Sequence, residues 1–175
     1  MRTYNLLILG LSAFLLSACT TMQHGKQWVE LPEGLYHGSV KNELPNGNGI
    51  LKHKNGSIYR GHFKNGYMHG KGVFEWKSGS RYAGQYNEGK RHGKGTYTWP
   101  NGAVYKGDYK AGIREGKGQF DLPNGKRYKG YFVAGKRQGK GVLYHPTGQV
   151  DRGLWKDDEL VIEDPEKTSF FYSQQ

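Results

Sequence analysis

Tyr82-Ala83-Gly84-Gln85-Tyr86-Asn87-Glu88-Gly89, continued by Gly93-Lys94-Gly95-Thr96-Tyr97, is one copy of a unit that recurs every 23 residues. Tyr36, Tyr59, Tyr82, Tyr105 and Tyr128 hold its first position, and Asp151 takes the sixth place. Gly38, Gly61, Gly84, Gly107, Gly130 and Gly153 follow two residues behind. A second glycine column runs through Gly49, Gly72, Gly95, Gly118 and Gly141. Five copies without insertion or deletion mean one supersecondary unit stacked on itself.

Within a copy the period is two. From Ile58 to Lys64, Tyr59, Gly61 and Phe63 share one face while Arg60, His62 and Lys64 share the other. Such alternation marks a half-buried strand. Asn65-Gly66 through Gly70 reads as a loop, and Gly72, Phe74 and Trp76 then form the apolar face of a second strand, with Val73 and Glu75 opposite. Ser78-Gly79 turns the chain again, and Asn-Gly pairs at 55–56, 65–66, 101–102 and 124–125 suit tight hairpin turns. Strands every 11 to 12 residues and no helical apolar period predict an all-β fold. The expected architecture is an elongated, twisted single-layer antiparallel sheet of stacked 23-residue β-hairpins.

A hydrophobic content of 35% is low for a thick core, whereas 28 glycines and 14% aromatic residues suit rings laid on bare backbone. In-register stacking lines up Phe63, Tyr86, Tyr109, Phe132 and Trp155, then Phe74, Tyr97, Phe120 and Leu143, then Trp76, Trp99 and Leu122. Packing between rings and glycines explains both residue types more simply than ligand stacking does.

The copy that begins at Tyr82 resembles the MORN repeat position by position, and those at Tyr59, Tyr105 and Tyr128 do so too. The copy at Tyr36 is looser, with Val40 in the aromatic position and Leu44-Pro45 intruding. The copy at Asp151 keeps Gly153 and Trp155 and stops there. These departures suit capping repeats. The resemblance covers about 120 of the 175 residues. It implies a β-hairpin array used for attachment, dimerisation or scaffolding. Phospholipid binding is among the properties attributed to the family.

Four segments are expected. Residues 1–18 read as an export signal: Met1-Arg2 gives a positive start, and Leu6 to Leu16 is an apolar run of 11 residues, too short to span a bilayer. Leu16-Ser17-Ala18-Cys19 resembles a bacterial lipobox, which implies cleavage before Cys19 and diacylation of its thiol. A plain secretory signal with an incidental cysteine is the competing reading. Thr20, where aspartate would imply inner-membrane retention, implies the outer membrane, facing the periplasm. Residues 19–35 read as a lipidated tether. Residues 36–156 are the array, five full repeats and a partial one. Residues 157–175 form an acidic and aromatic tail ending in Phe170, Phe171 and Tyr172. With one cysteine, no intramolecular disulfide forms.

No metal-ligand spacing, nucleophile elbow or phosphate loop occurs among the seven histidines and the glycine-rich triplets, so neither enzyme, cofactor nor metal is expected. The charge is more informative. Residues 36–156 hold 23 Lys/Arg against 7 Asp/Glu, a formal +16. Lys71, Lys94, Lys117 and Lys140 share one repeat position; Arg60, Lys106 and Lys129 share another. Stacking should align each set, neighbours roughly 10 Å apart, about one Debye length at physiological salt. Such rows suit an extended polyanion: anionic phospholipid or an envelope polymer. Alternatively they only solubilise a glycine-rich sheet. A protein partner or a homodimer through the array is the other expectation. Nucleic acid is not expected, because the rings are committed to packing and an export signal removes access.

Overall fold

The computed structural model describes residues 28–163. Thirteen strands form one antiparallel sheet in strict sequence order. They are β1 (Val29–Leu31), β2 (Gly34–Lys41), β3 (Leu44–His53), β4 (Ile58–Lys64), β5 (Tyr67–Glu75), β6 (Arg81–Asn87) and β7 (Lys90–Thr98). Then come β8 (Val104–Lys110), β9 (Ile113–Asp121), β10 (Arg127–Val133), β11 (Lys136–Tyr144), β12 (Val150–Lys156) and β13 (Glu159–Glu163). The single-layer all-β expectation holds. The sheet outruns the expected array at both ends: β1 lies inside the segment read as tether, and β13 inside the segment read as tail. Trp28, the start of that extension, stacks on His37 at 5.3 Å.

Two kinds of turn alternate. At Asn65-Gly66, Glu88-Gly89, Ala111-Gly112 and Ala134-Gly135 both central residues have positive φ, as at Asn65 (49°) and Gly66 (84°). These are two-residue turns whose twist matches that of the strands. The stretch 65–70 is therefore not a loop. The strand resumes at Tyr67, and Gly70 (φ 58°) sits at an irregularity in the ladder. At Asn55-Gly56, Asn101-Gly102 and Asn124-Gly125 only the glycine is left-handed. The asparagine carboxamide oxygen there accepts the amide N–H two residues on, at 2.9 Å from Ser57 and 3.1 Å from Ala103. One dipeptide thus serves two turn geometries.

Call the tyrosine-bearing side face A. The paired glycines Gly61–Gly72, Gly84–Gly95, Gly107–Gly118 and Gly130–Gly141 lie opposite one another in register. Each tyrosine ring lies over the pair in its own hairpin. A Cβ on Gly118 would come within 2.5 Å of the Tyr105 hydroxyl. Just past each pair the register slips, at Gly61/His62, Gly84/Gln85, Gly107/Tyr109 and Gly130/Tyr131. A bulge takes backbone groups out of the ladder. The Tyr59, Tyr82 and Tyr105 hydroxyls donate to the His62, Gln85 and Asp108 carbonyl oxygens at 2.9, 3.0 and 3.1 Å. Column glycine, bulge and tyrosine hydroxyl form one device repeated along the ribbon.

The rings build an unbroken edge-to-face ladder: Tyr36–Phe63, Phe63–Tyr59, Tyr59–Tyr86, Tyr86–Tyr82, Tyr82–Tyr109, and so on to Tyr128–Trp155, with centroids 5.0–5.4 Å apart. Each such contact contributes about 0.5–1.5 kcal/mol beyond burial. Alternate rungs come from successive repeats, so the ladder couples hairpin to hairpin. Tyr59, Tyr82, Tyr105 and Tyr128 are completely buried. A second file, Phe74, Trp76, Tyr97, Trp99 and Phe120, is half-buried beside them. At the last repeat Asp151 replaces the sixth tyrosine and His145 stands in the column of Trp76 and Trp99, their Oδ2 and Nε2 2.6 Å apart. A polar pair thus ends the ring ladder. Burial pushes the Asp151 carboxyl up, but bonds from His145 and Gln149 and their charged surroundings bring it below the usual range.

The Tyr86 hydroxyl is buried with no hydrogen-bond partner, although Phe63 and Phe132 fill the same column. Tyr86→Phe is expected to raise stability by about 1 kcal/mol, because an unsatisfied buried hydroxyl is removed at no cost in packing. Urea unfolding of the two forms checks this; a lower midpoint for the variant would overturn it.

Candidate functional site

Face B, the reverse of the ring face, carries the expected cationic residues. Each lysine of the first column pairs across the ladder with a first-strand residue of the next hairpin: Lys71 with Gln85, Lys94 with Asp108, Lys117 with Tyr131 and Lys140 with Leu154. The row is therefore not an uninterrupted stripe. Lys94 forms an ion pair with Asp108 at 2.8 Å. Lys117 stands 5.6 Å from the Tyr131 ring centre. Arg60 likewise forms an exposed ion pair, with Glu75.

The two columns nonetheless meet. Lys94 and Lys117 on one side, and Lys106 and Lys129 on the other, flank a shallow open groove of about 900 Å³. Its floor is the bare reverse side of Gly95, Gly107, Gly118 and Gly130, and Ala83, Thr96, Gln119 and Tyr131 complete the lining. The physical cause lies on face A. Glycine is required there to admit the tyrosine ring, and it leaves no side chain to raise the floor on face B. Further hollows continue along the same glycine line, at Gly38, Gly49 and Gly61 and at Gly141 and Gly153. Lys140 borders the latter, of about 410 Å³, while Lys71 lies between the described hollows.

Three cations escaped sequence reading. Arg91, Arg114 and Arg137 share one repeat position, but Pro45 and Met68 occupy the first two copies and Leu160 the last, so the column does not look basic. They lie on face A over the ring ladder. Arg114 is 5.2 Å from the Phe120 ring centre and 5.3 Å from that of Phe132, and its Nη2 donates to the Gly135 carbonyl oxygen at 2.5 Å. Arg91 bonds Gly112 of the next turn in the same way, at 2.7 Å. These cations clamp successive repeats and are unavailable to a ligand.

Cys19 and the export signal lie outside the described residues, as do Phe170, Phe171 and Tyr172. Among the described residues no group of three or more His, Cys, Asp or Glu side chains comes together. Burial pushes the Tyr82, Tyr105 and Tyr128 hydroxyls up to about 12, against the pull of Arg91, Arg114 and Arg137 respectively. That is the behaviour of core residues, not of acid–base groups poised near neutrality.

Fold and face together define a repeat protein that offers a long surface in place of a deep pocket. The chain belongs to the MORN-repeat family, whose model matches residues 36–58, 59–81, 82–104, 105–127 and 128–150. MORN repeats imply a binding or scaffold role. Among solved structures, the TCP domain of SAS-4 (dCPAP) of Drosophila melanogaster, in complex with a proline-rich motif of Ana2 (dSTIL), is similar at 15% identity and a TM-score of 0.41, over 84% of this chain and 99% of that one. No curated protein matches the chain.

Proposed function

We propose that the chain is a non-enzymatic scaffold lipoprotein of the bacterial cell envelope. It is anchored through Cys19 at the outer membrane, facing the periplasm, and holds an anionic lipid or envelope polymer along face B. The observation that carries this reading is the groove flanked by Lys94, Lys106, Lys117 and Lys129 above a glycine floor. Cations on two walls present charge to a linear or planar polyanion over several repeats. A Lys near an anionic surface contributes roughly 1 kcal/mol, so four together amount to about a thousandfold in affinity.

Replacing Lys94, Lys106, Lys117 and Lys129 together by Ala, in the 19–175 chain with Cys19→Ser, is expected to abolish pelleting with phosphatidylglycerol vesicles. The parent should pellet at low salt and be released at high salt. Parent pelleting that ignores salt, or survives in the variant, would overturn the reading. The anchor is tested separately. Cys19→Ser in the full chain is expected to leave unprocessed protein without palmitate label, and unchanged labelling and fractionation would exclude the lipobox.

A second reading, self-association through the array, is favoured by Val161 and Ile162, which are 54% and 59% exposed on the edge strand β13. Dimers in sizing that persist at high salt, with no vesicle pelleting, would select it.

A further inference from the structure

The last four strands make face B unlike the rest of the ribbon. In the column that holds Gln85 and Asp108 in earlier repeats stand Tyr131 and Leu154, and Ile162 follows Leu154 on the ladder. Tyr144 and Val150 pair two rows away on the same face, across the row of Lys129, Val142 and Arg152. Tyr131, Tyr144, Val150, Leu154 and Ile162 are between 37% and 59% exposed. Basic side chains interleave them: Lys140 pairs with Leu154, Arg152 with Val142, and Lys129 lies 5.8 Å from the Tyr144 ring centre. Exposed apolar groups gathered within a charged surround mark a contact site rather than ordinary surface. The hollow of about 410 Å³ at this end is lined by Lys140, Arg152, Leu154 and Ile162, and also by Glu163, the last described residue of β13.

We propose that this patch is an intramolecular docking surface and that its occupant is the segment 164–175 of the same chain. The inference rests on the reading of face B as a binding surface and adds its regulation. Three observations select this occupant. The segment departs from a residue that lines the hollow. It begins with the carboxylates Asp164 and Glu166, opposite in charge to Lys140 and Arg152, and after Lys167 it supplies the rings Phe170, Phe171 and Tyr172. Those rings follow Glu163 by seven to nine residues, a reach of roughly 25–30 Å, whereas three strand spacings cover about 14 Å. A flat bilayer meets the rims of a groove, while an extended chain reaches its floor. The aliphatic share of the lining, Val142, Leu154 and Ile162, suits side chains better than sugars. A docked segment would occupy the end of the polyanion surface and compete for Lys140 and Arg152.

The test compares the 19–175 chain (Cys19→Ser) with the same chain carrying Phe170→Ser, Phe171→Ser and Tyr172→Ser, which leaves the sheet intact. Amide NMR shifts are expected to change at Tyr131, Val142, Leu154 and Ile162, and binding of an apolar fluorescent dye should rise several-fold. Lys140→Glu with Arg152→Glu should reproduce those shift changes. Changes confined to 164–175, or falling instead around Lys71 and Lys94, would overturn the proposal. So would equal dye binding, or perturbations that appear only on adding vesicles or a second, unlabelled copy. Vesicle pelleting reports separately. The serine variant should pellet at lower vesicle concentration than the parent. A parent that never pellets would remove the polyanion reading and leave the NMR outcome to decide the docking.

Discussion

Tyr105→Ala is expected to lower stability by about 3–5 kcal/mol, the largest effect of any single substitution considered. The ring is fully buried, and it makes edge-to-face contacts with Tyr109 of its own repeat and Phe132 of the next, at 5.3 and 5.0 Å. It also covers Gly107 and Gly118, so its removal exposes two glycines with no side chain able to fill the space. The Asp108 carbonyl oxygen loses its donor as well. In a linear array each repeat touches only its neighbours, so a defect in the middle uncouples the two halves. Denaturant unfolding should therefore show a lower midpoint and a broadened or two-step transition. Tyr105→Phe, which keeps the ring and loses one hydrogen bond, should cost about 1 kcal/mol. Equal losses in the two variants would refute the ring-on-glycine account.

Alkaline unfolding is the second large effect. Burial holds the Tyr82, Tyr105 and Tyr128 hydroxyls protonated up to about 12 in the folded chain. In the unfolded chain they ionise near 10. Because the folded values are raised, their stabilisation is complete below pH 10 and is lost as pH climbs from 10 toward 12. Once the unfolded chain is ionised, each tyrosine removes about 1.4 kcal/mol per pH unit, so three remove about 4. A typical domain is stable by about 5–15 kcal/mol, and the sheet should unfold cooperatively within that window. Tyrosinate absorbance and far-ultraviolet circular dichroism should change together. Tyrosinate appearing near pH 10 while the sheet signal persists would show that the ring row is not sealed.

Much of the site followed from spacing. Lys94 and Lys117 share one column, Lys106 and Lys129 another, and an in-register stack must bring such columns together. What spacing leaves open is which side chain stands between them. Asp108, Tyr131 and Leu154 share a column with no common chemistry, and they break a uniform lysine row with an exposed ion pair at Lys94 and an apolar end. Arg60 pairs with Glu75, a partner fifteen residues away that only the ladder brings near. The arginine clamps were hidden for a related reason. Arg91, Arg114 and Arg137 follow the two-residue turns at Glu88-Gly89, Ala111-Gly112 and Ala134-Gly135, and their facing is set by those tight turns and the bulges beyond them, the equivalents of the stretch 65–70 read from sequence as a loop.

The 23-residue spacing of tyrosine and paired glycines was sufficient to determine the hairpin, its stacking order and the all-β class, because equal-length units can pile up only in register. Tertiary structure decided the rest: that the bulge hands a carbonyl to each tyrosine, that Arg91, Arg114 and Arg137 are spent inside, and that the glycines needed for rings on face A leave a trough between lysines on face B. These outcomes depend on side-chain direction across neighbouring strands, which a one-residue slip reverses and which no count along the chain contains.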